Sequence, residues 1–358
     1  MSDKPRAREL GIPFEGTPGP LNSITDIEGI EIGYATIIKG HRTRTGVTII
    51  HPRGKQDHDP VYAGHFAFNG NGEMTGAAWI AEGGFLEGPV GITNTHSVGV
   101  VRDTIIDWQV KQGALFQKWS CPVVGETADG WLNDMNGFHV RAKHVWSALE
   151  SATSGPIAEG NVGGGTGMIC YEFKGGTGTS SRKLPDQLGG WMIGALVQAN
   201  FGRRFQLTIG GVPIGKHLTS GAPFTHGENP FHQDDGSLIV VLATDAPLLP
   251  HQLKRLAKRA TIGMARTGSL GGNGSGDIFL AFSTANRGAA NPASGIAMIE
   301  SLSNDHLDPL LAASAYATEE AIVNALIAAE TMTGRDGLTI QALPHEELKG
   351  VMKQYGRL

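Results

Sequence analysis

The stretch DDGSLIVVLATDAPLLP, residues 234–250, decides how the chain is read. Leu238 to Leu242 is an unbroken run of strand formers, the pattern of a strand buried on both faces. It opens abruptly on Gly236-Ser237, behind Asp234 and Asp235, and a helix start follows at about Pro247. A small hydroxyl behind a glycine at the mouth of a buried strand has two readings. One is a turn. The other is a point where the chain is cut and Ser237 becomes a new N-terminus.

Outward from this strand, elements come in clusters. Residues 30–37 (IEIGYATI), 45–52 (TGVTIIHP) and 61–70 (VYAGHFAFNG) read as strands. Residues 88–112 read as a strand, a turn and a helix from about Val98. Val140, His144, Val145 and Leu149 mark a helix by their spacing. GMICYEFKGG (167–176), GGWMIGALVQANFG (189–202) and RRFQLTIGG (203–211) read as glycine-bounded strands. Residues 216–236 carry no periodicity and are rich in Gly, Pro, His and Asp, which marks a functional or mobile connection. Beyond strand 237–244 come a helix to about Arg266, a strand at 277–284, an Ala-rich helix around 309–333 and a last helix near His345. Strands cluster and helices cluster, which indicates layered α+β architecture in one domain rather than alternating βαβ units.

Composition narrows the function. The 358 residues are 18% charged and 40% hydrophobic, a globular balance. A net charge of -5 gives no basic face for nucleic acid. Two cysteines, Cys121 and Cys170, without CxxC spacing argue against a disulfide framework or a Cys-rich zinc site. No apolar run reaches membrane-spanning length, and the N-terminal residues lack an apolar signal region, so a cytoplasmic location without membrane partners is expected. The 52 glycines, about twice the usual share, imply tight turns and close backbone approaches.

Several motifs are set aside. GGVPIGKH (210–217) nearly matches a phosphate loop but has His217 where Ser or Thr is needed, and no helix pattern follows. GNVGGGTG (160–167) lacks dinucleotide-loop spacing and reads as a flexible turn. His226, Glu228, His232, Asp234 and Asp235 are metal-ligand types without helical spacing, so they read as a solvated loop. Lys254, Arg255, Lys258 and Arg259 read as a solvated helix face.

The chemistry lies at Gly236-Ser237. A Ser hydroxyl can attack the preceding carbonyl, converting the peptide to an ester that water hydrolyses. Gly at that position tolerates strain and leaves the carbonyl open. The cut frees an α-amine, with an ordinary pKa of roughly 7.7–8.0, that can deprotonate its own hydroxyl. Ser275 and Asp277, in a Gly-rich turn before a strand, are placed to bind and orient such an amine. Asn200, ending an apolar strand, carries an amide that can stabilise an oxyanion. Each has a plainer alternative: a strand-end cap for Asn200, a turn residue for Ser275, a structural acid for Asp277.

Six ordered blocks resemble one family: NTHSVGVVRD (94–103), PVVGETADGWLND (122–134), GNVGGGTGM (160–168), QANFG (198–202), GSLIVVLATDAPL (236–248) and NGSGDIFLAFST (273–284). Across nearly the whole chain the sequence is similar to the L-aminopeptidase/D-amidase-esterases and β-peptidyl aminopeptidases. The resemblance implies a four-layer αββα sandwich, like the N-terminal-nucleophile hydrolases but differently connected. It implies self-cleavage into residues 1–236 and 237–358, Ser237 as nucleophile, Ser275 and Asp277 beside its amine, and Asn200 at the oxyanion. It further implies that Glu126 holds the substrate's free amino group, although pairing with a basic residue is the plainer role. No metal or organic cofactor is implied, and tetramers of the cleaved pair are. Ala128 is small where some members are expected to carry larger side chains, so no member's substrate preference is transferred.

The resulting expectation is a self-processing serine aminopeptidase with amidase and esterase capability, acting on short peptides or amides. The rivals are a self-processing N-acyltransferase sharing the acyl-enzyme and an uncleaved binding protein on the same fold.

Overall fold

Strand Ser237–Thr244 sends alternate side chains into two different cores. Leu238, Val240 and Leu242 join one, and Ile239, Val241 and Ala243 join the other. A strand buried on both faces belongs inside a multilayer structure. A computed structural model describes residues 4–224 and 236–358. The cluster His226, Glu228, His232, Asp234 and Asp235, and most of the aperiodic connection, lie outside the described residues.

In chain order the elements begin with hairpin β1 (Glu31–Lys39) and β2 (Thr43–His51), then β3 (Val61–Ala67), α1 (Ala77–Gly83) and β4 (Phe85–Leu86). Next are β5 (Val90–Thr93), α2 (Val98–Gln112), β6 (Val123–Glu126) and α3 (Ala142–Glu150). A small hairpin, β7 (Ile169–Cys170) and β8 (Phe173–Lys174), leads into β9 (Gly176–Lys183) and β10 (Met192–Asn200). Then come β11 (Ser237–Thr244), α4 (Pro250–Arg266), β12 (Gly276–Ser283) and α5 (Asp308–Ile327). The chain closes with β13 (Met332–Thr333), β14 (Thr339–Ile340) and α6 (His345–Gln354).

Two sheets stack. One has the order β1-β2-β5-β6 and the other β4-β3-β12-β11-β10-β9. Between them lie Ile50, Val90, Ile92 and Val123 from the first, and Leu196, Ile239, Val241, Ile278 and Leu280 from the second. Helices α2 and α3 cover the outer face of the first sheet through Val101, Ile105, Val145 and Leu149. Helices α4 and α5 cover the outer face of the second through Leu253, Leu256, Ala321 and Leu326. The layers are therefore αββα, as expected. Glycine permits the close approach: a Cβ on Gly178 of β9 would lie 2.0 Å from the Ala321 carbonyl oxygen of α5.

Three sequence readings need correction. RRFQLTIGG forms no strand; Arg204–Gln206 is a 3₁₀ turn, and only Ile209 and Val212 bridge. Its Arg204 is instead drawn inward to backbone carbonyls. GMICYEFKGG is a tight hairpin rather than one strand. GNVGGGTG is not a flexible turn: Gly163–Gly167 is a buried 3₁₀ segment, bonded by Gly163 N–H to Thr36 and Gly164 N–H to Thr48.

Candidate active site

β10 and β11 run antiparallel, with Asn200 opposite Ser237, and β11 and β12 run parallel, with Ser237 beside Gly276. Side-chain alternation puts Ser237 on the face of Ile239, and Asn200 on the face of Leu196, both toward the other sheet. The register thus brings together two residues 37 positions apart. Ser237 is 6% exposed.

Gly236 sits tightly behind the serine. A Cβ there would lie 2.5 Å from the Phe201 Cα, so no other residue fits without moving backbone. The Gly236 carbonyl oxygen accepts from the Gly276 N–H at 3.1 Å. The carbonyl that Ser237 would attack therefore already has a backbone donor.

The Asn200 amide is fixed at both ends. Its Oδ1 accepts from the Ile169 N–H at 2.9 Å, and its Nδ2 donates to the Ala128 carbonyl at 3.0 Å. An amide nitrogen carries two hydrogens, so one N–H remains beyond the bond to Ala128.

Ser275 and Asp277 are buried together, with Ser275 Oγ donating to Asp277 Oδ1 at 2.9 Å. Asp277 Oδ2 accepts from Asn69 Nδ2 at 3.0 Å. Asp277 shares the alternation of Phe279, toward the helices, so the acid is set behind the Ser237–Gly276 pair rather than on the Ser237 face. Asn69 was missed by the sequence reading; the Asn/Gly-rich FNGNG run was its signal.

Glu126 ends β6 and is 2% exposed. Its Oε1 accepts from the Glu73 N–H at 3.0 Å, and its Oε2 takes a short hydrogen bond from Thr95 Oγ1. Burial raises its carboxyl above the usual range, the two hydrogen bonds oppose this, and the Glu73 charge adds to it. Gly72 separates it from the serine's neighbour. A Cβ at Gly72 would lie 3.0 Å from Glu126 Oε1 and 3.2 Å from the Gly276 Cα. No basic side chain is salt-bridged to Glu126 among the described residues, unlike Glu159 or Glu320. Thr95, Glu73 and Gly72 were not singled out from sequence, although Thr95 stands in the NTHSVG block.

Asp129, three residues on, is occupied otherwise. It is 1% exposed, and its Oδ1 accepts from Asn133 Nδ2 at 2.9 Å. Burial pushes its carboxyl up to about 6. Among the described residues no group of three or more His, Cys, Asp or Glu is arranged to hold a metal ion.

This arrangement can support acyl transfer: a hydroxyl at a strand start, an amide donor opposite it, an acid–hydroxyl pair behind it and a separate buried carboxylate nearby. A profile of Peptidase family S58 matches residues 22–340. The β-peptidyl aminopeptidase BapA of Sphingosinicella microcystinivorans is 52% identical, spanning 100% of this chain and 94% of its own. The protein of the same name from Sphingosinicella xenopeptidilytica is 46% identical over 98% of this chain and 91% of its own. Among solved structures, the L-aminopeptidase D-Ala-esterase/amidase of Ochrobactrum anthropi superposes with a TM-score of 0.91 at 50% identity, covering 99% of this chain and 100% of that one. That protein is described as a prototype for the serine aminopeptidases and a new variant among the Ntn hydrolase fold.

Proposed function

The chain belongs to Peptidase family S58 and is an aminopeptidase of Ntn-hydrolase-like fold, and from that premise we propose that it cuts itself between Gly236 and Ser237 and works through the amine it frees. In the first step Ser237 Oγ attacks the Gly236 carbonyl carbon. The C–N bond breaks, an ester forms, and water releases residues 1–236 with a carboxylate end. The Gly276 N–H supports this step as the donor on the Gly236 oxygen.

In turnover the Ser237 amine takes the proton of its own Oγ, which attacks the substrate carbonyl. Asn200 Nδ2 holds the oxyanion. The amine returns its proton to the leaving amine, and water, deprotonated by the same amine, cleaves the acyl-enzyme. Ser275, backed by Asp277 and Asn69, orients the amine. Glu126 binds the substrate's free ammonium by a charge-assisted hydrogen bond. The substrates are short peptides, amides or esters with a free N-terminus, and the names of the relatives favour β-residues among them. We further read the enzyme as cytoplasmic and as a tetramer of cleaved pairs.

The observation that carries the reading is the rung pairing Asn200 with Ser237 behind a position that admits only glycine. Intact mass of the purified protein, followed by a screen of α-, β- and D-aminoacyl amides, tests it. An intact chain that turns over substrate overturns it.

A further inference from the structure

Lys174 is fully buried. Its Nζ donates to the carbonyls of Met168 and Gly175, each at 2.8 Å, and to that of Gly165 at 3.4 Å. No carboxylate pairs with it among the described residues. Burial lowers the pKa of its ammonium; the Lys4 charge works the same way and Cys170 opposes it. The carbonyl oxygens act to retain the proton. An aliphatic side chain would fill such a site without the desolvation that an ammonium incurs.

The Met168 carbonyl and the Ile169 N–H are two ends of one peptide group. The carbonyl takes the Lys174 ammonium, and the N–H donates to Asn200 Oδ1 at 2.9 Å. A continuous chain therefore runs from Lys174 Nζ through that peptide and the Asn200 amide to Nδ2. Each bond in such a chain polarises the next, by about 10–30% per bond. A cation at its start draws electrons from the peptide, then from the Asn200 amide, and makes Nδ2–H a stronger donor.

The hairpin that carries both Ile169 and Lys174 is held under strain. Tyr171 and Glu172, its two turn residues, have φ of 51° and 60°, a conformation usually left to Asn-Gly. Arg204 enforces it, with Nε donating to the Tyr171 carbonyl at 3.1 Å and Nη2 to that of Glu172 at 2.6 Å. Tyr171 Oη also meets Thr267 Oγ1 at 2.7 Å. Strain fixed this firmly is concentrated where geometry matters for function.

We propose that Lys174 is a positioning residue for the oxyanion donor: its ammonium, acting through the Met168–Ile169 peptide, fixes the Asn200 amide on the Ser237 face and strengthens its N–H. This rests on the reading of Asn200 as that donor. The test is a double-mutant cycle on cleaved enzyme with an aminoacyl p-nitroanilide, using Lys174→Met, Asn200→Ala and the pair. Lys174→Met is expected to lower kcat about 10-fold with KM within about twofold, and to change kcat less than about twofold once Asn200 is alanine. Unchanged kcat in Lys174→Met, or the same loss in both backgrounds, overturns the proposal. Unchanged kcat in Asn200→Ala alone overturns the oxyanion reading instead. Should Lys174→Met fail to fold or be cut, ¹⁵N NMR of lysine Nζ groups in the wild-type enzyme decides. A buried ammonium at the pH of activity is expected; a neutral amine there overturns the proposal.

Discussion

Asn200 faces Ser237 across the rung that ends the antiparallel β10–β11 ladder. Because side chains alternate, a slip of one residue in either strand would turn one of them into the helix-side core. The apolar runs on both strands forbid that slip: Leu196 and Ile239 must stay between the sheets, and Val197 and Val240 must stay against the helices. Hydrophobic pattern thus sets the geometry of two polar groups.

The purified protein should run as two chains, the smaller beginning Ser-Leu-Ile-Val-Val. Ser237→Ala should remain one chain and be inactive. N-terminal sequencing and intact mass decide this, and a new terminus elsewhere would dismiss Ser237 as nucleophile.

Asn200→Ala should lower kcat by about 10²–10³, the scale of one lost oxyanion donor. Cutting should persist, since the Gly236 carbonyl has its own donor in the Gly276 N–H. The substitution also strips partners from the Ile169 N–H and Ala128 carbonyl, at about 1–3 kcal/mol of stability for each group left buried without one. A thermal melt measures that loss, and kinetics below the melt measure catalysis.

Glu126→Gln should still cut itself, because the uncut chain presents no free amine there. It should lose most activity on free-amine substrates and discriminate less against N-acetylated ones. Only the ionised carboxylate holds an ammonium, and burial raises the pKa of Glu126 in the free enzyme. Wild-type kcat/KM should therefore fall on acidification sooner than an ordinary carboxylate dictates, and Glu126→Gln should lack that fall. Wild-type kcat/KM in the variant would place the amine anchor elsewhere.

Asp129 should weaken the fold as pH rises. Its folded value is about 6 against an ordinary 3.8, so the native state holds the proton more tightly than the unfolded chain. Stability from this group is present below about pH 4 and is lost as pH rises through 6, by on the order of 3 kcal/mol. Urea unfolding in the uncut Ser237→Ala background should show the slope, and Asp129→Asn should flatten it. Parallel curves would mean that the charged form is well accommodated.

The layers and the strand that opens on Ser237 were legible because they rest on long-period patterns. β11 begins at Ser237 and α2 at Val98, where the sequence reading put them. β9 was not legible: GTGTSSRK is made of small and polar residues, and it is a strand because α5 and β10 bury it. The β7–β8 hairpin hid behind Tyr171-Glu172, since turn chemistry usually announces itself with Asn or Gly. At the candidate site, polar side chains such as Asn200 and Glu126 could be singled out from sequence, and the structure buries both with hydrogen-bond partners. Contacts made by backbone, such as the Gly276 and Glu73 N–H groups, leave no mark in residue type.

The order of the larger sheet has a thermodynamic meaning for a cut chain. β11 and β12, the strands that follow Ser237, lie side by side in its middle, with β3 on one flank and β10 on the other. After a cut, the smaller fragment would be clasped on both sides by strands of the larger. Neither could leave without opening two ladders at once, so the pair would persist without any covalent tie. Assembly would then be history-dependent. The intact chain reaches this sheet as a unimolecular event, whereas unfolded halves would have to find each other at a rate set by concentration and insert a strand pair into a gap. Such an enzyme is stable through a slow escape rate rather than a reversible equilibrium, and heat inactivation should be a one-way loss.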